Sequence, residues 1–271
     1  MLTFLRKIRK SLIESGSARK YLLYAIGEIA LVVIGILIAL QINNWNEGRK
    51  TKKQLIDHLE NLAIDLDEDI AEYDEKYSHH HMRFHSFIYL LDLAGYHIDI
   101  YEPFPDPERP WEKHKELYPY PDTFNIDFIK FAYNWMDHGY VSTKLSRTAV
   151  EEIQNLGLFS QIRNEKLKKQ INDYYKYVDW IFGEAIIQNY QRQAQELGIY
   201  LRDQYSIINI DITRMDDPIG FLKQHKDVRL KLRSVIDDTY YHTLEMLRTK
   251  KKAEELIQFI KDELRITIPN Q

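Results

Sequence analysis

Glu28 is the one charged side chain in YLLYAIGEIALVVIGILIALQI, residues 21–42 of this 271-residue chain. A carboxyl group inside hydrocarbon costs on the order of 3 kcal/mol on insertion scales, so something is expected to face it. On a helical wheel Glu28 shares a face with Tyr24, Gly35 and Ala39. Gly35 and Ala39 have the small-xxx-small spacing that lets two helices approach closely. Each copy supplies one span, so the partner is a second copy or another membrane protein. Three chemistries suit a carboxyl group so placed. A protonated Glu28 can hydrogen-bond across a helix interface and hold an assembly together. A ring of Glu28 side chains can line a cation pathway through a homo-oligomer. Glu28 can also reach headgroups or water from its place in the span.

His79, His80, His81 and His85 form the second cluster. The i,i+4 spacing of His81 and His85 puts two imidazoles on one helical face, as zinc sites require. Met82, Arg83 and Phe84 intervene where a metalloprotease helix would carry its Glu, and Arg83 repels a cation. The expectation is a polar, pH-responsive helix face with no metal. Tyr is abundant at 19 residues, with Tyr174, Tyr175 and Tyr177 on one segment and Tyr240 and Tyr241 on another. Core packing with a wet hydroxyl accounts for these. The acidic run LDEDIAEYDE at 66–75 reads as a solvated helix surface.

No GxSxG, P-loop or GxGxxG occurs in the chain, and no carboxylate pair stands out as a glycosidase dyad. The expectation is therefore no enzyme, no catalytic residue, no cofactor and no bound metal. Cys is absent, which removes disulfides, thiolate ligands and Cys nucleophiles together and suits an oxidising compartment. Residues 1–50 hold eight Lys/Arg against three Asp/Glu, and the remainder is acidic. A basic start before an acidic body is not a nucleic-acid binder's distribution.

The elements that must position these residues begin with 21–42. Twenty-two helical residues span roughly 33 Å, enough for a hydrocarbon core. The run exceeds a signal-peptide core and no small-x-small cleavage site follows it, so a retained transmembrane helix is expected. Arg19 and Lys20 before it and Trp45 after it mark the two membrane interfaces. Residues 1–20 read as a basic amphipathic cytoplasmic segment, with Leu2, Phe4, Leu5, Ile8, Leu12 and Ile13 on one face. Six basic side chains precede the span and Arg49, Lys50, Lys52 and Lys53 follow it. The positive-inside rule then favours a cytoplasmic N-terminus in a cell inner membrane and a C-terminal domain in the periplasm. Membrane lipid, further copies of the chain and another membrane protein are the expected partners. The chain is expected to act by assembly or as an accessory subunit of an envelope complex, with a Glu28-lined pore and a ligand-sensing module coupled to a separate membrane partner as the alternatives.

The stretch KYLLYAIGEIALVVIGILIALQINNWNEGRK (20–50) resembles the N-terminal signature of a family of uncharacterised single-pass membrane proteins from Gram-negative bacteria, a domain of unknown function. TAVEEIQNLGLFSQIRNEKLKKQINDYY (148–175) is similar to that family's second recurrent segment. The resemblance implies a membrane location and a helical extracytoplasmic domain, and no activity.

The remainder, 43–271, reads as an elongated extracytoplasmic helical bundle, making the chain all-α. Leu55, Leu59, Leu62, Leu66, Ile70, Tyr73 and Tyr77 recur at steps of three and four and predict a helix over 47–95, whole or in two parts. Asn43, Asn44 and Gly48 leave open whether it continues the span. Pro-rich residues 96–122 exclude helix and form an aromatic loop carrying Tyr101, Phe104, Trp111, Tyr118 and Tyr120. Helices are expected near 124–137 and 147–156, the latter stopped by Gly157. The next is capped by Asn164 and runs to about 203. Asp216, Asp217 and Pro218 mark another start, and a last long helix carries Val228 to Leu264.

Overall fold

The computed structural model describes residues 18–99, 104–139, 142–207 and 212–267. The amphipathic segment expected at the extreme N-terminus lies outside them but for its last three residues, as does Tyr101. Among the described residues the fold is all-α, with no strand. Helix α1 runs Ala18–Leu93, 76 residues in one element. Asn43, Asn44 and Gly48 do not interrupt it. Among the described residues six further α-helices carry the chain onward: α2 (Ile126–Asn134), α3 (Thr148–Asn155), α4 (Glu165–Ile181), α5 (Glu184–Tyr205), α6 (Pro218–Gln224) and α7 (Lys226–Thr267), with 3-10 turns at Glu112–Leu117 inside the loop, Leu158–Gln161 and Ile212–Arg214.

The chain divides into two compact units, Met1–Ile56 and Asp57–Gln271. In the first, the helix from Leu22 onward is long and apolar enough to cross a membrane, with a mean hydropathy of 2.5 over its most apolar 18-residue window. None of that window is buried.

In the second unit α4 and α5 both pack on α7. Two groups of buried side chains build its interior. One takes Met82, Phe84, Phe87 and Leu90 from α1, Phe128 and Ile129 from α2, Leu197 from α5 and Val228 to Ile236 from α7. The other draws Leu59, Leu62 and Leu66 from α1, Ile153 from α3, Leu167 and Ile171 from α4, and Leu256 and Ile260 from α7. Fully burying such a side chain stabilises the fold by about 1.5–3 kcal/mol before entropy is charged against it.

Local signals set most boundaries. The Asn164 carboxamide accepts hydrogen bonds from the Lys166 and Leu167 amides, capping α4. Asp217 accepts from the Gly220 amide with Pro218 in the first turn of α6. Gly157 stops α3 with φ at 69°, a left-handed conformation that suits glycine. The helix expected from Asn164 to about 203 is instead two helices. Phe182 ends α4, and Gly183 turns extended at ψ 146° before α5 starts. A Cβ on Gly183 would lie 2.5 Å from the Asp179 carbonyl oxygen, so this close turn needs glycine.

The Pro-rich loop excludes α-helix as expected but admits the short 3-10 turn, which is kinked at His114. Its aromatic residues fasten it to the bundle. Phe104 meets the Phe84 ring edge-on at 5.2 Å, and Tyr120 stacks on His85 at 4.9 Å. Ser78 donates to the Arg109 carbonyl at 2.7 Å and Tyr77 donates to that of Pro105.

Candidate functional site

The residues of the apolar stretch lie on one helix. Successive residues advance about 100°, so Tyr24, Glu28, Gly35 and Ala39 fall within about 60° of one another. Tyr24 and Glu28 are half-buried, and Gly35 and Ala39 are exposed. A Cβ built on Gly27 or Gly35 would meet nothing within 4 Å. The first unit therefore fills none of the space these glycines leave. Trp45 is 70% exposed, with the Arg49 guanidinium 5.6 Å from its ring centre. Arg19 is exposed too.

The histidines behave differently from the polar face expected of them. His79, His80 and His81 are all buried, with His85 half-buried. His81 accepts or donates at Nδ1 to the Tyr120 hydroxyl, 2.7 Å away, and its ring lies 4.4 Å from that of His85. This pair is the one whose spacing suited a metal; both rings are instead packed against Tyr120. Among the described residues no group of three His, Asp or Glu is arranged to hold a metal ion.

His79 and His80 turn the other way. His79 meets Trp111 at 4.3 Å and Trp135 at 4.7 Å, both edge-on. His80 stacks on His242 of α7, with ring centres 5.5 Å apart and planes 15° apart. Tyr190 of α5 closes on the other side of His242. Arg83 is buried one turn further along α1 and donates to the His138 carbonyl. Asp238 and Asp137 are its nearby anions. Burial lowers Arg83 to about 9, so it stays charged at neutral pH. Burial and the neighbouring cations push His79 and His80 well below the ordinary histidine range. His242 falls to about 3 for the same reasons, and His81 to about 3 through burial and His85. These imidazoles are neutral at pH 7. Local sequence gives no sign of the partnership, because His242 and Asp238 lie far along the chain on another helix.

The acidic run also departs from expectation. Asp69 is 2% exposed and is no part of a solvated surface. Its carboxylate accepts from the Ser146 amide at 2.8 Å and the Tyr174 hydroxyl at 3.1 Å. Glu72 accepts from the Lys144 amide and Asp65 from the Ala149 amide. Three carboxylates on one face of α1 thus hold the segment entering α3, and Asp65 serves the Ala149 N–H of its first turn. Burial raises Asp69 to about 6 despite the two hydrogen bonds. Only Glu68, Glu75 and their outward neighbours match the solvated reading.

Residues 28–91 match a family of unknown function (DUF6090). The match begins at Glu28 and covers the rest of the apolar stretch, the carboxylate ladder and the histidine cluster of α1. It does not extend to 148–175. No curated protein and no solved structure matches the chain.

Proposed function

We propose that the chain is a single-pass membrane protein that works by assembly, as a homo-oligomeric scaffold or as the accessory subunit of an envelope complex. The observation that carries this reading is the naked apolar surface of α1. Leu22, Leu23, Ile26, Ile29, Leu31 and Val32 are each more than half exposed and follow one another closely, whereas the exposed apolar side chains of the second unit are scattered singly. Lipid is the solvent that such a helix face suits. The ridge of Glu28, Gly35 and Ala39 supplies the contact between helices, with the Glu28 carboxyl group hydrogen-bonded across the interface. The excess of basic residues ahead of the span supports a cytoplasmic N-terminus, with residues 57–271 in the periplasm. No catalytic step belongs to this reading.

Alkaline carbonate extraction of cell membranes tests the anchor. The chain is expected to stay in the pellet and to be released only by detergent; release by carbonate alone would refute it. Because the chain has no Cys, a single cysteine placed at Lys251 reports topology. Labelling by a membrane-impermeant maleimide in intact spheroplasts is expected; labelling only after lysis would reverse the orientation.

A further inference from the structure

A band of buried polar side chains crosses the second unit between its two apolar groups. On α1 it comprises Ser78, His79, His80, His81 and Arg83; on α7, Thr239, His242, Thr243 and Glu245. The α4–α5 break lies at the same level. Tyr177 of α4 donates to Glu245, while Tyr190 of α5 packs on His242. Phe182, at the break itself, stacks on Tyr73 of α1 at 5.9 Å. The bundle is therefore weakest in two respects at one height: its interior is polar, and one of its helices is interrupted.

We propose that this histidine layer is a proton-operated latch, in which protonation of His79, His80 and His242 beside the buried Arg83 opens the waist of the bundle. The charges around the layer explain the direction. On α1 the histidines face Lys76 and Arg83, and the loop adds Lys113 to His79. The anions within reach are Asp137 and Asp238, which face Arg83, while Glu245 on α7 is already engaged by Tyr177 and Arg248. Neither Asp238 Oδ2 nor Arg83 Nε makes a hydrogen bond. Lys76 is itself paired with Glu72 and Glu75, but a proton added to any of the three imidazoles meets the Arg83 guanidinium in a medium that screens it poorly.

The pH window follows from linkage. The unfolded chain protonates each histidine near 6.5, and the folded chain holds His242 down to about 3. Stability is complete above 6.5 and falls as pH drops toward 3, about tenfold in the folding equilibrium per pH unit for each such histidine. Asp69 and Asp238, raised to about 6 by burial, bind protons in the folded chain and offset two histidines. His79, His80, His81 and His242 outnumber them, so the net fall is at least about tenfold per pH unit below 6.

The test uses the full chain in mild detergent, titrated from pH 8 to 4.5. Trp111 and Trp135 stand against His79, so their emission and the near-ultraviolet circular dichroism report the layer. Both are expected to change while far-ultraviolet helicity persists. A His80→Gln/His242→Gln double variant should move the midpoint down by about one pH unit or more. His97→Gln, on an exposed side chain, should leave it unmoved. An unchanged midpoint in the double variant, or a wild-type signal flat to pH 4.5, would overturn the latch. Hydrogen exchange on the wild type, corrected for intrinsic rates, decides the matter even if the double variant does not fold. Amides of 78–86 and 238–246 should lose protection at a higher pH than those of 59–66 and 253–260. Simultaneous loss would mean global unfolding and no latch.

Discussion

Asp69 shows how one side chain can hold a distant segment in place. It is buried, and its two oxygens take the Ser146 amide and the Tyr174 hydroxyl, which in turn lies 3.0 Å from the hydroxyl of Tyr73. Removing the carboxyl group strands the Ser146 N–H and leaves the Tyr174 hydroxyl with Tyr73 alone. Asp69→Ala is therefore expected to destabilise the fold by about 2–3 kcal/mol, read from the denaturation midpoint. Asp69→Asn keeps an acceptor for Ser146 and removes a charge that burial disfavours. Because the folded carboxyl is raised to about 6 from 3.8, it lowers stability as pH rises through that interval and contributes nothing further above it. Asp69→Asn should match or exceed the wild type at pH 7 and lose that part of the pH dependence. An Asn variant as damaged as the Ala variant would show that the charge itself is needed. In the sequence Asp69 is one of six acidic residues in ten, and nothing local separates it from the solvated ones. Its burial is set by where α3 and α4 dock, which the helical period of α1 does not encode.

The legible parts of the architecture are those whose causes are local. Asn164 and Asp217 act on amides within three residues and Gly157 acts through its own left-handed backbone, so residue type and position sufficed to place three helix ends. The stripe from Leu55 to Tyr77 was legible because it repeats at helical spacing. The α4–α5 break was not. Val178, Ile181 and Phe182 continue the apolar stripe of α4 up to Gly183, and a lone glycine weakens a helix by only about 1 kcal/mol. What ends the helix is the close turn of Gly183 over the Asp179 carbonyl four residues back, together with the tertiary stacking of Phe182 on Tyr73. Gly183→Ala should cost about 1–3 kcal/mol, since the added methyl meets backbone that cannot give way. A stabilised Gly183→Ala protein would mean that α4 and α5 prefer to be one helix. The pairing of His80 with His242 was illegible for the same reason as the break: it joins two helices that only the folded chain brings together.

At the scale of the whole molecule, one long helix carries both of the chain's characters. Its N-terminal part exposes apolar residues to its surroundings, and its C-terminal part supplies the carboxylates and histidines around which the second unit is built. Composition and hydropathy made the first character plain, because a membrane-length apolar run has few rivals. The assembly proposed for it rests on the shared ridge of Glu28, Gly35 and Ala39, with its small-xxx-small spacing. The native mass of the full chain in mild detergent tests that claim most directly, measured beside Glu28→Leu. A discrete mass of two or more copies that falls toward the monomer in Glu28→Leu is the expected result. A wild-type monomer free of other proteins, or an oligomer that Glu28→Leu leaves unchanged, would contradict it.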